Sequence, residues 1–229
     1  MPVYTLTIFF AAALVVWVYH YDNYEPEPWW AVIVAALTGF GVMWLLGFAD
    51  DFAIRTLDLS GSIIRKAATI ALIEEGGKLF TVLLLAWVLL RKQFNDPMDG
   101  LIYGRIAGVG IAVQESLLYL SFSPPTLQTL GIEIVRLFAH SLMAALVGFA
   151  IGIGCRPDGR SKYHPRLILL CLALSTTMHF GWNVVAYSHK TDLLARLLPM
   201  GLMLTMMILW RWFCSIAQHK SRALFAPAM

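Results

Sequence analysis

Hydrophobic residues along this chain are grouped into seven long stretches, which short polar segments separate. The stretches cover approximately residues 4–20, 29–48, 67–90, 101–122, 128–154, 166–187 and 193–214. Each is close to the ~20 residues that an α-helix needs to cross the hydrocarbon core of a bilayer. The pattern predicts an all-α protein, a polytopic transmembrane helical bundle of about seven transmembrane helices.

The segments between these stretches are short and rich in turn-forming residues, and none has the composition of an interdomain linker. We therefore expect one transmembrane domain over residues 1–229. Hydrophobic residues make up 59% of the chain and charged residues 14%, which excludes an ordinary soluble domain. No Lys or Arg precedes the first stretch and no small-residue cleavage site follows it, so we interpret it as a retained helix.

Basic residues outside the stretches are divided unequally between the two faces that alternating helices create. One face has nine of them: Arg91, Lys92, Arg156, Arg160, Lys162, Arg166, Arg211, Lys220 and Arg222. The other has five: Arg55, Arg65, Lys66, Lys190 and Arg196. The positive-inside rule then places the C-terminus in the cytoplasm and the N-terminus outside a cell membrane of bacterial or archaeal type. The basic residues form no stripe between aromatic residues, so we expect no nucleic acid partner.

Several residues suggest packing rather than chemistry. The cysteines lie far apart, which indicates neither a disulfide framework nor a zinc knuckle: Cys155, Cys171 and Cys214. Five tryptophans are expected near span ends, where the headgroup layer favours them: Trp29, Trp30, Trp87, Trp210 and Trp212. Two small-residue pairs predict close helix contacts: Gly104 with Gly108, and Gly148 with Gly152.

Ten polar or charged residues lie inside the hydrophobic stretches: Glu74, Glu75, Lys78, Arg105, Glu115, Glu133, Arg136, His140, His179 and Asn183. A charged residue at a helix centre costs roughly 2.5–3.5 kcal/mol on insertion scales, so such a group indicates function by default. Structural ion pairing is the alternative for each of them. For Glu133 and Arg136, three residues apart, we favour that structural alternative.

Helical spacing brings some of these residues onto shared faces. Lys78 follows Glu74 by four residues and Glu75 by three, so its ammonium reaches either carboxylate. One Lys cannot neutralise both, which leaves one carboxylate as a proton acceptor. His179 and Asn183 are also four apart. Together with the glutamate pair, they supply a base, an orienting group and hydrogen-bond donors for a tetrahedral intermediate.

The depth of these groups in the membrane supports a common site. At ~1.5 Å per residue, the Glu74–Glu75 pair, Glu115, His140 and His179 fall in one layer, although they belong to four different helices. Scattered structural residues would have no reason to share a depth. With the orientation above, the layer lies in the outer half of the membrane.

These residues resemble the PrsW family of intramembrane proteases, which is similar to the group that includes the CAAX-processing proteases. The resemblance covers most of the chain. It rests on Glu74-Glu75-x-x-Lys78, on residues 96–104 leading to Glu115, on His140 with small residues up to Gly148, on His179-x-x-x-Asn183, and on the segment 24–29. Two positions depart from the family pattern, which has an aromatic residue and an Asn where this chain has Ile111 and Ser116.

The resemblance implies an intramembrane endopeptidase, with a membrane-embedded or membrane-proximal protein or peptide as substrate and the lipid bilayer as its medium. In our hypothesis Glu75 or Glu74 activates water with help from His140, and Lys78 orients the pair. His179 and Asn183 stabilise the oxyanion. We favour a glutamate-type mechanism that requires no cofactor. The alternative is a zinc-dependent one, in which Glu115, His140 and His179 bind zinc or another divalent metal.

Other classes of protein remain as alternatives. A proton-coupled transporter or channel would use the same Glu, His and Lys residues as a relay, but it would favour internal repeats, which the sequence lacks. A noncatalytic scaffold would use the cluster only to join helices. An aspartyl protease is disfavoured because the adjacent Asp50 and Asp51 are predicted to lie in a solvated loop at a span end, and no Gly-x-Ser-x-Gly segment indicates a serine protease.

Overall fold

The structure is a computed structural model that describes residues 2–21, 25–124, 126–158, 161–188 and 193–225, with the backbone alone for 193–196. The described residues form an all-helical fold of seven α-helices, as predicted. These are α1 (Pro2–Tyr19), α2 (Trp29–Thr56), α3 (Ile63–Leu84), α4 (Pro97–Leu120), α5 (Leu127–Gly152), α6 (Pro165–Ser188) and α7 (Leu193–Phe225). A 3-10 turn, Leu59–Gly61, precedes α3, and a π-helical segment, Leu85–Leu89, extends it.

Six of the described helices are long and apolar enough to cross a membrane, which makes this a multi-pass integral membrane protein. The remaining helix, α3, has 22 residues and a comparable length, but it contains Glu74, Glu75 and Lys78. Helices that are consecutive in the chain run in opposite directions. We call the side where α2 ends and α3 begins the N-terminal face, and the opposite side, where α5 ends and α6 begins, the C-terminal face.

Several helices begin or end outside their predicted limits, and two of these differences concern charged residues. Helix α4 begins at Pro97 because Asp96 accepts hydrogen bonds from the backbone N–H groups of Met98 (2.6 Å) and Asp99 (3.1 Å), which caps the first turn. Helix α2 continues to Thr56, so the prediction that Asp50 and Asp51 lie in a solvated loop was wrong. Both belong to the last two turns of that helix.

Glycines allow α4 and α5 to approach each other more closely than any larger residue would permit. These two helices form the most extensive helix pair of the fold. A Cβ atom at Gly148 would lie 2.0 Å from the carbonyl oxygen of Gly100, and one at Gly108 would lie 2.5 Å from that of His140. The predicted packing role of Gly104, Gly108, Gly148 and Gly152 is therefore confirmed.

An interior cation joins α1, α4, α5 and α7. The guanidinium of Arg105, 1% exposed, lies over the rings of Trp17 (4.8 Å) and Trp210 (4.3 Å), and its Nε donates to Ser141 Oγ at 3.1 Å. Trp210 is itself 3% exposed, and its ring lies 4.8 Å from that of Tyr21, just beyond the end of α1. Helix α7 extends fifteen residues beyond Trp210, to Phe225, and is therefore longer than the hydrophobic stretch that predicted it.

Candidate active site

The charged residues of α3 face the interior of the bundle, where Glu75 is surrounded by donors. Its Oε1 accepts from Lys78 Nζ and lies 2.7 Å from His179 Nδ1, while its Oε2 accepts from Ser175 Oγ. Glu75 and Lys78 are fully buried. Each carboxylate oxygen of Glu75 is thus engaged by a hydrogen bond that holds α6 against α3.

Glu74, one residue earlier, has a different environment. Its Oε2 is buried and has no hydrogen-bond partner among the described residues, and His179 Nε2 lies 3.6 Å away. Glu74 forms a trio with His140 and His179. One nitrogen or oxygen from each residue lies within 4.8 Å of the others, and all three residues are buried.

The predicted residue Glu115 lies beside this trio rather than within it. His140 Nε2 is 2.9 Å from Glu115 Oε2, close enough for an ion pair although not aligned as a hydrogen bond. Arg136 connects Glu115 to Glu133, with Nε 3.6 Å from the first carboxylate and Nη1 2.6 Å from the second. The predicted Glu133–Arg136 pair is confirmed, and its extension to Glu115 links α5 to α4.

Helix α6 supplies three buried polar residues at four-residue intervals: Ser175, His179 and Asn183. The side-chain nitrogen of Asn183 is buried and has no hydrogen-bond partner among the described residues, so its N–H groups are available to a ligand. Ser175 was not identified from the sequence. The spacing that led from His179 to Asn183 would have found it on extension by one turn in the other direction.

A cleft of about 220 Å³ leads from this cluster to the N-terminal face. Glu74 and Glu115 lie at its inner end, and its outer part is lined by Asp50, Lys66 and Tyr187 among others. Lys66 Nζ lies 4.8 Å from the centre of the Tyr187 ring, which joins α3 to α6 at the mouth. The cleft provides a path for water to the buried carboxylates.

The trio has the properties of a divalent metal site. Two imidazoles and one carboxylate are a common zinc ligand set that leaves a coordination position open. Within the described part of the chain, Glu74 Oε2 and His140 Nδ1 are buried without hydrogen-bond partners, as expected for groups that a cation would satisfy. Glu75 accepts a hydrogen bond from His179 Nδ1. A carboxylate in this position commonly orients a histidine that binds a metal through its other nitrogen. The residues therefore fit a metal, with Glu74 where the sequence had suggested Glu115.

Comparison with known proteins identifies the family of this chain. The profile of the PrsW family of intramembrane metalloproteases matches residues 27–213. A relative described as Protease PrsW from Geobacillus kaustophilus is 31% identical over 61% of each chain, so the match spans less than two thirds of that relative. Proteases of the same description from Oceanobacillus iheyensis (24% identical, 88% of this chain, 90% of the relative) and Bacillus subtilis (23%, 92% and 91%) match more of the length. No solved structure matches.

Proposed function

Because this chain belongs to the PrsW family of intramembrane metalloproteases, we propose that it is an endopeptidase that cleaves a membrane-embedded or membrane-proximal peptide bond. The observation that carries the proposal is the buried trio of Glu74, His140 and His179, of which Glu74 also lines a cleft that opens on one membrane face. Two relatives that this chain matches over most of their length are described as proteases.

We assign the water-activating role within the glutamate pair to Glu74 and a positioning role to Glu75. The oxygens of Glu75 already accept from Lys78, Ser175 and His179, whereas Glu74 Oε2 has no described hydrogen-bond partner. A general base needs a free lone pair within reach of the proton that it removes. Glu74 takes a proton from the attacking water and returns it to the amide nitrogen as the C–N bond breaks.

The oxyanion that forms on the scissile carbonyl needs donors that are already oriented. The N–H groups of Asn183 are buried and unpaired among the described residues, and they lie one helical turn from His179. Donors fixed in a site that excludes bulk water stabilise a developing negative charge strongly. Asn183 is therefore our candidate for the oxyanion donor, with His179 beside it.

A bound divalent cation would be held by Glu74, His140 and His179, and it would supply a water molecule of lowered pKa together with polarisation of the substrate carbonyl. The protein's own contribution would then be the orientation of these ligands. Glu75 fixes His179 through Nδ1, and Glu115 lies against His140.

The N-terminal face, onto which the cleft opens, is the extracytoplasmic side in our proposed topology. The C-terminal face carries the larger number of basic residues, which places it in the cytoplasm by the positive-inside rule. A site reached from outside suits substrates that are clipped near the extracytoplasmic end of a transmembrane segment.

The test is cleavage of single-span peptides by the purified protein in detergent or nanodiscs. Wild type is compared with Glu74→Gln and His179→Ala, each with and without a chelator, and bound metal is measured in every sample. We expect wild type to cleave and both variants to lose at least about 10²-fold in kcat. Loss of activity on chelation, restored by zinc, assigns a metal; activity that survives chelation in metal-free protein assigns the glutamate mechanism.

A matched control keeps the result specific to the trio. Asp58→Asn changes an exposed carboxylate between α2 and α3, on the same face, that does not line the cleft, and it should leave cleavage unchanged. If Glu74→Gln cleaves as fast as wild type, the proposed site is wrong. If wild type cleaves no peptide of the library, the proton-coupled transporter becomes the hypothesis to test, by proton flux in liposomes.

A further inference from the structure

Two neighbouring cavities open on the C-terminal face, away from the candidate active site. One, of about 500 Å³, lies among the ends of α5 and α7 and the starts of α4 and α6. The other, of about 600 Å³, lies between the end of α3 and the connection from α5 to α6. Arg156 lines both cavities, so they adjoin at this side chain. Both are within the range of volumes that small-molecule sites occupy.

The described residues that line these cavities include five Lys or Arg residues and no Asp or Glu. Arg156, Lys162 and Lys220 line the first, and Arg91 and Lys92 join Arg156 in the second. None of these five forms an ion pair among the described residues. The cavities therefore bring together cationic side chains that have no ion-pair partner within the described part of the protein.

The connection that carries Arg156 and Lys162 is folded back on itself by defined contacts. Lys162 N donates to Gly154 O at 2.8 Å, and Arg156 N donates to Ser161 Oγ at 3.3 Å. A Cβ atom at position 154 would lie 1.8 Å from Lys162 O, so this close approach requires the glycine. The two cations are thus held on one rim by the backbone.

The position of the cavities identifies the ligand class. They lie at the ends of helices, where the headgroup layer of a bilayer begins, and an aromatic pair, Trp87 and Tyr163, forms one wall with ring centres 5.7 Å apart. Basic pockets between helix ends at the cytoplasmic side are suited to anionic lipid headgroups. We propose that these two cavities bind the phosphate groups of anionic phospholipids.

A simple topological role for the same charges would not require this shape. The positive-inside rule depends on the number of Lys and Arg residues in a loop, not on their convergence around a cavity. Arg211 and Arg222 lie on the same face, are exposed, and line neither cavity. They provide a matched comparison of equal charge.

The experiment measures lipid binding to the detergent-solubilised full chain by native mass spectrometry, with phosphatidylglycerol and phosphatidylcholine as probes. We expect phosphatidylglycerol to bind wild type at least tenfold more tightly than phosphatidylcholine. The Arg156→Gln/Lys162→Gln variant should lose about tenfold or more of that affinity. The Arg211→Gln/Arg222→Gln variant should lose less than twofold.

Three results would overturn the proposal: no preference for phosphatidylglycerol in wild type, an equal loss in the two double variants, or a rise in melting temperature with inorganic phosphate but not with phosphatidylglycerol. The last result would assign the cavities to a free anion. Displacement of bound phosphatidylglycerol by millimolar phosphate would support the proposal and identify the phosphate group as the part recognised. Unchanged melting of the lipid-free variants excludes misfolding as the cause of a loss.

Discussion

Replacement of Gly108 by alanine tests whether the packing of α4 against α5 sets the position of His140. The new Cβ would lie 2.5 Å from His140 O and 2.8 Å from Ser141 Cα. A carbon and a carbonyl oxygen normally approach to about 3.3–3.6 Å. The backbone of α5 at His140 must therefore recede by about 1 Å, because both atoms that collide belong to rigid helices.

A displacement of about 1 Å at a catalytic group can cost about 10²-fold in rate. We expect Gly108→Ala to lose about that factor in kcat against the peptide that wild type cleaves best. Its melting temperature should fall as well, since overpacking a helix contact costs about 1–3 kcal/mol. The assay is single-turnover cleavage, with circular dichroism to verify the helical content.

The control for this substitution is Gly131→Ala on the same helix as His140. A Cβ atom at Gly131 meets nothing within 4 Å, so the variant should cleave as wild type does. It should melt slightly higher, because alanine favours a helix over glycine by about 1 kcal/mol. If Gly108→Ala cleaves and melts as wild type does, the close contact does not position His140 and our reasoning fails.

Three further predictions address single contacts. Ser175→Ala removes the donor to Glu75 Oε2 and should lower kcat about 10–100-fold with little change in KM or melting; an unchanged kcat would contradict a positioning role. Arg105→Met should melt no lower than wild type, because two guanidinium nitrogens are buried without described partners. Arg105→Ala should melt lower, because the side chain fills the space between two tryptophans. Thermal unfolding of both variants tests this prediction. Burial raises the pKa of Cys155 from 9.0 to about 11. At pH 8 its thiolate fraction should therefore be about 100-fold below that of an exposed cysteine, and the difference should shrink as the pH rises toward 11. The alkylation rate of Cys155, measured with the other cysteines replaced, should follow the thiolate fraction.

The sequence predicted the layer of the site better than its internal contacts. Helical rise and span ends placed Glu74, Glu115, His140 and His179 at one depth, and the structure brings these residues of four helices together. Depth is predictable because a bilayer fixes where each helix begins and ends. The rotation of each helix about its axis depends on packing, which periodicity does not resolve when a helix is apolar on every side.

The sequence left open the contacts that depend on how each helix is rotated about its own axis. Spacing allowed Lys78 to reach either glutamate, and in the structure it contacts Glu75. The limit of α2 was also missed, because two aspartates in sequence suggest a loop. In the structure Asp51 pairs with Arg55 one turn later, and Asp50 turns toward the cleft, where it lies near Glu74 and Glu115. Both contacts are compatible with a continued helix.

The unequal environments of the adjacent glutamates predict opposite effects on stability. Glu75→Gln would leave the buried ammonium of Lys78 without its partner, a type of change that costs roughly 3–5 kcal/mol. Glu74→Gln removes a buried carboxylate whose Oε2 has no described hydrogen-bond partner, so this variant should melt at or above the wild-type temperature while losing cleavage. Parallel thermal unfolding and cleavage of the two variants give the answer. Equal melting of both would show that the bundle does not distinguish the two carboxylates, and the assignment of the base to Glu74 would lose its physical ground.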